Sequence, residues 1–255
     1  MITFYKYHGT GNDFVLIDNR QLTFKKDQLI VEKLCDRRFG IGADGLILLE
    51  NDESSDFRMV YYNSDGNEST MCGNGGRCIV AFAHFLGIFS EQCSFEAVDG
   101  RHEAIYDNGN VKLKMIDVNS VENQSGSFEL NTGSPHFVQF VEGLDDYKVY
   151  ENGNKIRNNA TYKAEGINVN FVSELHPDEI FVRTYERGVE GETWSCGTGA
   201  TAAALVQMEK TGVGEIKVKV LGGNLKVYAE KTEAGFKNVW LEGPAVQVFK
   251  GEITL

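Results

Sequence analysis

The chain holds no apolar run approaching the ~18 residues of a membrane span, so a helical membrane protein is not expected. Basic residues are in the minority: 25 Lys and Arg stand against 37 Asp and Glu, for a formal charge of −12. No basic stripe is present, which makes nucleic acid and anionic membranes poor partners. The first residues, Met1 to His8, lack the charged-then-apolar form of a signal peptide, and this points to a soluble cytosolic protein. Only three prolines occur, and no Pro-rich or Ser-rich stretch marks a linker. A CxxC pair is absent too. The five cysteines, an odd number in a reducing compartment, favour thiols over a disulfide framework.

What is present comes twice. Cys72-Gly73-Asn74-Gly75-Gly76 and Cys196-Gly197-Thr198-Gly199-Ala200 each follow a strand-like run, Phe57–Tyr62 and Phe181–Tyr185, and each leads into a helix-like stretch. The cysteines are 124 residues apart, Gly42 and Gly166 are 124 apart, Gly100 and Gly223 are 123 apart, and Gly11 and Gly133 are 122 apart. Four landmarks in one order at one spacing argue for a duplicated domain. A repeat of about 120 residues is too long for a solenoid unit and has the size of a small domain. The expected halves are residues 1–117 and 118–245, with residues 246–255 returning to pack on the first half.

Short apolar or alternating runs bounded by turn residues predict strands at Val15–Ile17, Leu46–Leu49, Val111–Met115, Ile216–Val220 and Leu225–Tyr228. Three helices are predicted. One starts at an Asp27 N-cap, carries Arg37 and Arg38 in its last turn and stops at Gly40; the others run over Ile79–Leu86 and Ala200–Lys210. The fold class is α+β: two pseudo-symmetric halves, each a sheet wrapped on a central helix whose N-terminus carries a thiol, with the active site in the cleft between them.

A thiol at a helix start sits where unpaired N–H groups and the helix dipole favour the thiolate. Removing a proton from the carbon beside a carboxylate needs a close base, a dry site and stabilisation of the charge that grows on the carboxylate. Gly73, Asn74, Gly197 and Thr198 can offer backbone N–H groups to one carboxylate from two sides. Cys72 and Cys196, facing each other across the carbon, would then take a proton from one face and give one to the other, with no cofactor.

Other motifs carry less. Cys72 and Cys78 have the wrong spacing for zinc, and no second pair accompanies them, so no metal is expected. Cys35, Cys78 and Cys93 read as buried, inert thiols. Gly40-Ile41-Gly42-Ala43-Asp44-Gly45 is a literal G-x-G-x-x-G, but it follows a helix and enters a strand, the reverse of the dinucleotide fingerprint. A thiol redox protein and a non-catalytic carboxylate-binding module remain open as alternatives.

His8-Gly9-Thr10-Gly11-Asn12-Asp13-Phe14, Asn63-Ser64-Asp65-Gly66, Met71-Cys72-Gly73-Asn74-Gly75, Tyr185-Glu186-Arg187-Gly188 and Cys196-Gly197-Thr198-Gly199-Ala200 together resemble diaminopimelate epimerase, in order and across essentially the whole chain. The resemblance implies a pyridoxal-independent, two-base epimerase that interconverts LL- and meso-diaminopimelate, built as two halves closing over the substrate and usually a homodimer. It implies Cys72 and Cys196 as the acid/base pair and Gly73, Asn74, Gly197 and Thr198 as the clamp on the reacting carboxylate. Asn12, Asn63 and Asn168 would hold substrate, Glu186 and Arg187 would read its distal amino and carboxylate groups, and His136 would support the site. Two positions depart from the family pattern: Ser134 stands where many members have Asn, and Gly45 where some have Gln. Serine still donates a hydrogen bond, and glycine leaves room for water. Proline and hydroxyproline epimerases share the fold and thiol pair, but a cyclic imino acid would leave Glu186 and Arg187 without partners.

Overall fold

The structure, a computed structural model, describes residues 1–254. The chain forms two compact units, one of Met1–Leu113 with the C-terminal segment from Gly243, the other of Lys114–Glu242.

The first unit contains β1 (Ile2–Gly9), β2 (Asn12–Asp18), α1 (Gln28–Cys35), β3 (Gly45–Glu50), β4 (Phe57–Asn63), β5 (Glu68–Ser69), α2 (Gly73–Phe85), β6 (Gln92–Ala97), β7 (Gly100–Asp107) and β8 (Asn110–Lys114). Its sheet begins with the last strand of the chain, Val246–Ile253, which pairs antiparallel with β1. From there β1 and β2 are antiparallel, β2 and β3 parallel, β3 and β4 antiparallel, β4 and β6 parallel, and β6, β7 and β8 antiparallel in turn. Strand β3 is buried along its whole length, which is why Leu46–Leu49 reads as a continuous apolar run and not as an alternation. Leu46 and Leu48 join Val31 and Leu34 of α1 in one core layer, and the opposite face receives α2. That helix packs on β1, β2, β3, β4 and β7 and is buried from Gly73 to Ala83. Fully burying Ile79, Val80 and Phe82 contributes roughly 1.5–3 kcal/mol each.

The second unit contains β9 (Glu122–Gln124), β10 (Ser127–Asn131), β11 (Pro135–Phe140), α3 (Val149–Arg157), β12 (Asn168–His176), β13 (Glu179–Glu186), β14 (Gly191–Thr193), α4 (Gly197–Thr211), β15 (Glu215–Val220), β16 (Gly223–Thr232) and β17 (Gly235–Pro244), leaving Val246–Ile253 as β18. Strand order and sense repeat those of the first unit: β9 antiparallel to β10, β10 to β11, then β11 parallel to β12, β12 antiparallel to β13, β13 parallel to β15, and β15, β16 and β17 antiparallel. Helix α4 packs on β10, β11, β12, β13, β15 and β16. The duplication extends to single backbone angles. Gly42 and Gly166 have φ of 80° and 77°, and Gly100 and Gly223 have φ of 116° and 144°, conformations in which a Cβ would be strained.

The helices differ from the sequence expectation in three ways. Helix α1 ends at Cys35, so Arg37 and Arg38 lie beyond it; the Asp36 carboxylate accepts the N–H groups of Arg38 and Phe39 at 2.7 Å each and turns the chain there. Helices α2 and α4 start at Gly73 and Gly197, several residues earlier than predicted, because contact with the sheet outweighs the poor helix propensity of glycine. A Cβ on Gly76 would lie 2.9 Å from Met71 Sδ. A fourth helix, α3, was not predicted at all. Its sequence contains two asparagines and a glycine, and Gly153 is pressed against Tyr185, where a Cβ would lie 2.4 Å from the Tyr185 Cβ.

Candidate active site

Each cysteine run sits at a helix N-terminus. Cys72 is the N-cap of α2, in extended conformation, and its carbonyl accepts the Gly76 N–H at 2.7 Å to close the first turn. Cys196 is the N-cap of α4, and its carbonyl accepts the Ala200 N–H at 2.8 Å. Helix geometry directs the first-turn N–H groups outward at this end, the arrangement that binds carboxylates and phosphates.

In the first unit, Asn12, Cys72 and Asn74 come together. The Cys72 Sγ donates to Asn12 Oδ1 at 3.7 Å, and Asn74 Nδ2 donates to the same oxygen at 3.1 Å. Behind them Arg77 is fully buried; it donates to Gly73 O at 3.2 Å, Thr10 Oγ1 at 3.1 Å and Asn74 Oδ1 at 3.0 Å. Burial lowers the Arg77 pKa, with Cys78 and Cys72 acting against that shift. Asn12 Nδ2 in turn donates to Asp44 Oδ2 at 2.7 Å. Arg37, set beyond α1, bridges Asp13 and Asp44 at 2.7 Å each, and Lys6 pairs with Asp13 at 2.6 Å. Burial raises the Asp13 carboxyl, but hydrogen bonds from Arg37 and Lys6 outweigh it and hold the group well below the usual carboxylate range. Asn63 lies at the end of β4, in a turn where its N–H donates to Asn67 O at 3.0 Å and its carbonyl accepts the Gly66 N–H at 2.9 Å.

The sequence reading leaves open space at Gly45. Tyr61 occupies it instead: a Cβ there would lie 2.6 Å from Tyr61 Cε2 and 2.6 Å from Tyr62 O.

In the second unit the Gly199 N–H donates to Cys196 Sγ at 3.4 Å, and Thr198 Oγ1 lies 3.5 Å from the same sulfur. Thr132 Oγ1 donates to Thr198 O at 2.8 Å, tying the loop before β11 to the start of α4, and Thr132 N donates to Ser134 O at 3.2 Å. His136 and Asn168 are register partners on β11 and β12. His136 is fully buried; its Nδ1 lies 3.1 Å from Asn170 Nδ2, and its Nε2 has no hydrogen-bond partner among the described residues. Burial, reinforced by the positive charge of Arg187, lowers its pKa to about 3, so the ring is neutral. The Asn168 amide accepts the Arg187 backbone N–H at 2.8 Å, the Arg187 guanidinium donates to Glu165 O at 3.1 Å, and Glu186 Oε2 accepts from Thr193 Oγ1 at 3.0 Å.

The other three cysteines are buried. Burial pushes Cys35 and Cys93 up to about 12 and Cys78 higher still, so all three are inert at neutral pH.

Sequence reasoning missed Asp44, Arg77, Thr132 and Asn170. A polar signal was available for two of them. Arg77 is the one acidic or basic residue in the small-residue start of α2, and Asn170 interrupts the run Val169-Phe171-Val172 in β12. Among the described residues no helix is long and apolar enough to cross a membrane, and no cluster of three or more metal-ligating side chains occurs.

The chain is similar over nearly its whole length to known proteins. The family model of diaminopimelate epimerase matches residues 4–121 and 128–248. The diaminopimelate epimerase of Flavobacterium psychrophilum is 53% identical over 253 residues, covering 98% of this chain and 99% of that protein. That of Chlorobaculum tepidum is 44% identical over 261 residues, covering 97% and 99%. Among solved structures, a Bacillus anthracis phenazine biosynthesis protein of the PhzF family superposes with a TM-score of 0.79 at 18% identity, covering 100% of this chain and 99% of that one. A hydroxyproline epimerase from Agrobacterium vitis does so with a TM-score of 0.66 at 13% identity, covering 98% and 91%. At those identities the two structures share the fold. The near-complete match to the family model, and relatives at 44% and 53% identity over nearly the whole chain, establish that this chain belongs to the diaminopimelate epimerase family.

Proposed function

We propose that this protein interconverts LL- and meso-2,6-diaminopimelate, a step toward lysine and peptidoglycan precursors, by passing the α-proton between two thiols without a cofactor. The observation that carries the reading is the repeated device in a chain of this family: Cys72 and Cys196 each cap a buried helix that begins with small residues. Membership of the family makes the chain an isomerase of the epimerase type.

In the forward reaction one cysteine, as thiolate, removes the α-proton of the LL-centre while the other, as thiol, delivers a proton to the opposite face. The C–H bond breaks toward one sulfur, the new C–H bond forms from the other, and the electron pair resides meanwhile on the carboxylate. Backbone N–H groups at Gly73, Asn74, Gly197 and Thr198 stabilise that growing charge, an effect typically worth several kcal/mol for well-aimed donors in a dry site. The reaction requires that both thiols reach one carbon. Asn12 and Asn63 hold the reacting amino acid end, Asn168 positions the Glu186-Arg187 backbone, and those two side chains read the distal ammonium and carboxylate. His136, neutral and buried, supports the start of α4 through Asn170, and Ser134 contributes a hydroxyl where relatives have an amide. The enzyme acts as a homodimer in the cytoplasm.

The test is to incubate the pure, reduced protein with LL-diaminopimelate and, separately, with trans-4-hydroxyproline, and to resolve the stereoisomers by chiral chromatography. Formation of meso-diaminopimelate, with hydroxyproline unchanged, is the expected result. Epimerisation of hydroxyproline alone would replace diaminopimelate with a cyclic imino acid as substrate.

A further inference from the structure

An amide side chain can present either its oxygen or its NH2 group to a neighbour, and the hydrogen-bond network around it decides which. At the Cys72 end of the first unit that decision is made from both sides. Arg77 has only donors, so the Asn74 oxygen faces it at 3.0 Å and the Asn74 NH2 group faces away, donating to Asn12 Oδ1 at 3.1 Å. Asp44, as a carboxylate, has only acceptors; it takes the Asn12 NH2 group at 2.7 Å on Oδ2 and Arg37 at 2.7 Å on Oδ1. A donor-only cation at one end and an acceptor-only anion at the other leave Asn12 a single orientation, with its oxygen toward the sulfur.

We propose that Asp44 is a positioning residue for Cys72: its carboxylate fixes the Asn12 carboxamide with the oxygen toward the sulfur, giving the thiol proton a built acceptor. The proposal rests on Cys72 being one of the two proton-transfer groups. A thiol that donates to an amide oxygen is favoured over a thiolate, which such an oxygen repels. Asp44 therefore biases Cys72 toward its proton-donating form, and the Asn12 amide becomes part of the acid-base balance as well as a substrate contact.

The charged and titratable groups around Cys72 in this unit are Arg77 and the neutral Cys78 thiol on α2 itself, the cluster of Lys6, Asp13, Arg37 and Asp44 behind Asn12, and Asp99, which accepts the Met71 N–H at 3.3 Å and pairs with His102 at 3.3 Å. Replacing Asp44 by Asn keeps its size and supplies an NH2 group that can donate to the Asn12 oxygen. Asn12 is then held in its orientation only by the Asn74 NH2 group, and each turn toward the new donor takes its oxygen off the sulfur, which favours the thiolate. Loss of the Asp44 charge would act in the same direction, so the test has to separate the two.

The experiment uses the full chain as wild type, Asp44→Asn, Asn12→Ala and the double variant. Each reduced protein is alkylated with iodoacetamide across the neutral and alkaline range, and modification of Cys72 and of Cys196 is read separately by peptide mass spectrometry. Asp44→Asn should lower the Cys72 midpoint by roughly half a pH unit to one unit and leave that of Cys196 in place. In the Asn12→Ala background the same change should shift the midpoint by less than half as much, because the amide through which Asp44 acts is gone and only the lost charge remains. An unmoved Cys72 midpoint overturns the proposal. So does a shift at least half as large in the Asn12→Ala background, which is the signature of a lost charge acting alone, or a joint shift of both thiols, which is the signature of a loosened fold. Since the titration needs no turnover, it stands apart from the assignment of the substrate.

Discussion

Gly199 and Asn170 meet so closely that a Cβ on the glycine would lie 2.3 Å from Asn170 Oδ1. The same oxygen accepts the Thr184 hydroxyl at 2.9 Å, while the amide nitrogen reaches the Phe137 carbonyl at 2.9 Å and His136 Nδ1 at 3.1 Å. The first turn of α4 is thus seated on a buried polar network, with no space between them. Gly199→Ala should cost about 1–3 kcal/mol of stability, as overpacking at well-filled sites does, and should lower kcat by displacing the turn that holds Cys196. Thermal unfolding and steady-state assays measure both; wild-type values for each would show that the contact is not needed.

Removal of either thiol separates the acid/base role from packing. Cys72→Ala and Cys196→Ala delete one small side chain each and should leave the far-UV circular dichroism spectrum of the wild type. Epimerisation should fall by at least about 100-fold in each, the lower range for a lost proton-transfer group. Substantial turnover surviving in either variant would remove that cysteine from the reaction.

Much of the duplication is legible in the sequence because it rests on residues with one structural use. Gly42 and Gly166, or Gly100 and Gly223, occupy backbone conformations that other residues rarely adopt, so their spacing survives where side chains have diverged. The apolar run Leu46–Leu49 likewise marks a strand buried on both faces. Helix starts are not legible in this way. The glycines at the beginning of α2 and α4 have poor local propensity, and only contacts with residues distant in sequence, such as Leu113 and Asn170, show why they are helical. The thiols announced themselves by repetition, whereas Asp44 gained its place through Asn12, 32 residues away in sequence. No spacing rule links an exposed acidic residue before a glycine to an amide at the start of β2.

His136 gives the fold an acid-sensitive element. Burial lowers its pKa to about 3, against about 6.5 in an unfolded chain. The unfolded state therefore binds the extra proton first as pH falls. Stability linked to this residue is fully present above about pH 6.5 and declines through the window down to about pH 3, by at most about 1.4 kcal/mol per unit. Asp13 adds to acid loss only lower, below the ordinary carboxylate range, because its own pKa is depressed by Arg37 and Lys6. His136→Gln should flatten the dependence of unfolding free energy on pH between about 4.5 and about 6.5. An unchanged slope in urea titrations across that window would assign it to other groups.

Arg187 tests recognition of the far end of the substrate. Its backbone is fixed by Asn168 and its guanidinium reaches the Glu165 carbonyl, so truncation leaves the neighbouring strand anchored. Arg187→Ala should raise KM for diaminopimelate by roughly 10- to 100-fold, the scale of a lost charged hydrogen bond. It should act much less on an analogue without the distal carboxylate. Equal losses on both substrates would place Arg187 outside distal recognition.

Isotope exchange during the first turnovers in deuterated water addresses the central claim, that two thiols act on opposite faces of one carbon. LL-diaminopimelate is converted by the wild-type protein, and deuterium at the α-carbon is followed by NMR in both product and remaining substrate. The two-thiol account predicts meso-diaminopimelate that carries solvent deuterium from the outset, while the recovered LL-isomer stays unlabelled. Deuterium entering the LL-isomer as fast as the meso-isomer, or a product that keeps its original α-proton, would mean that a single base serves both faces and would contradict it.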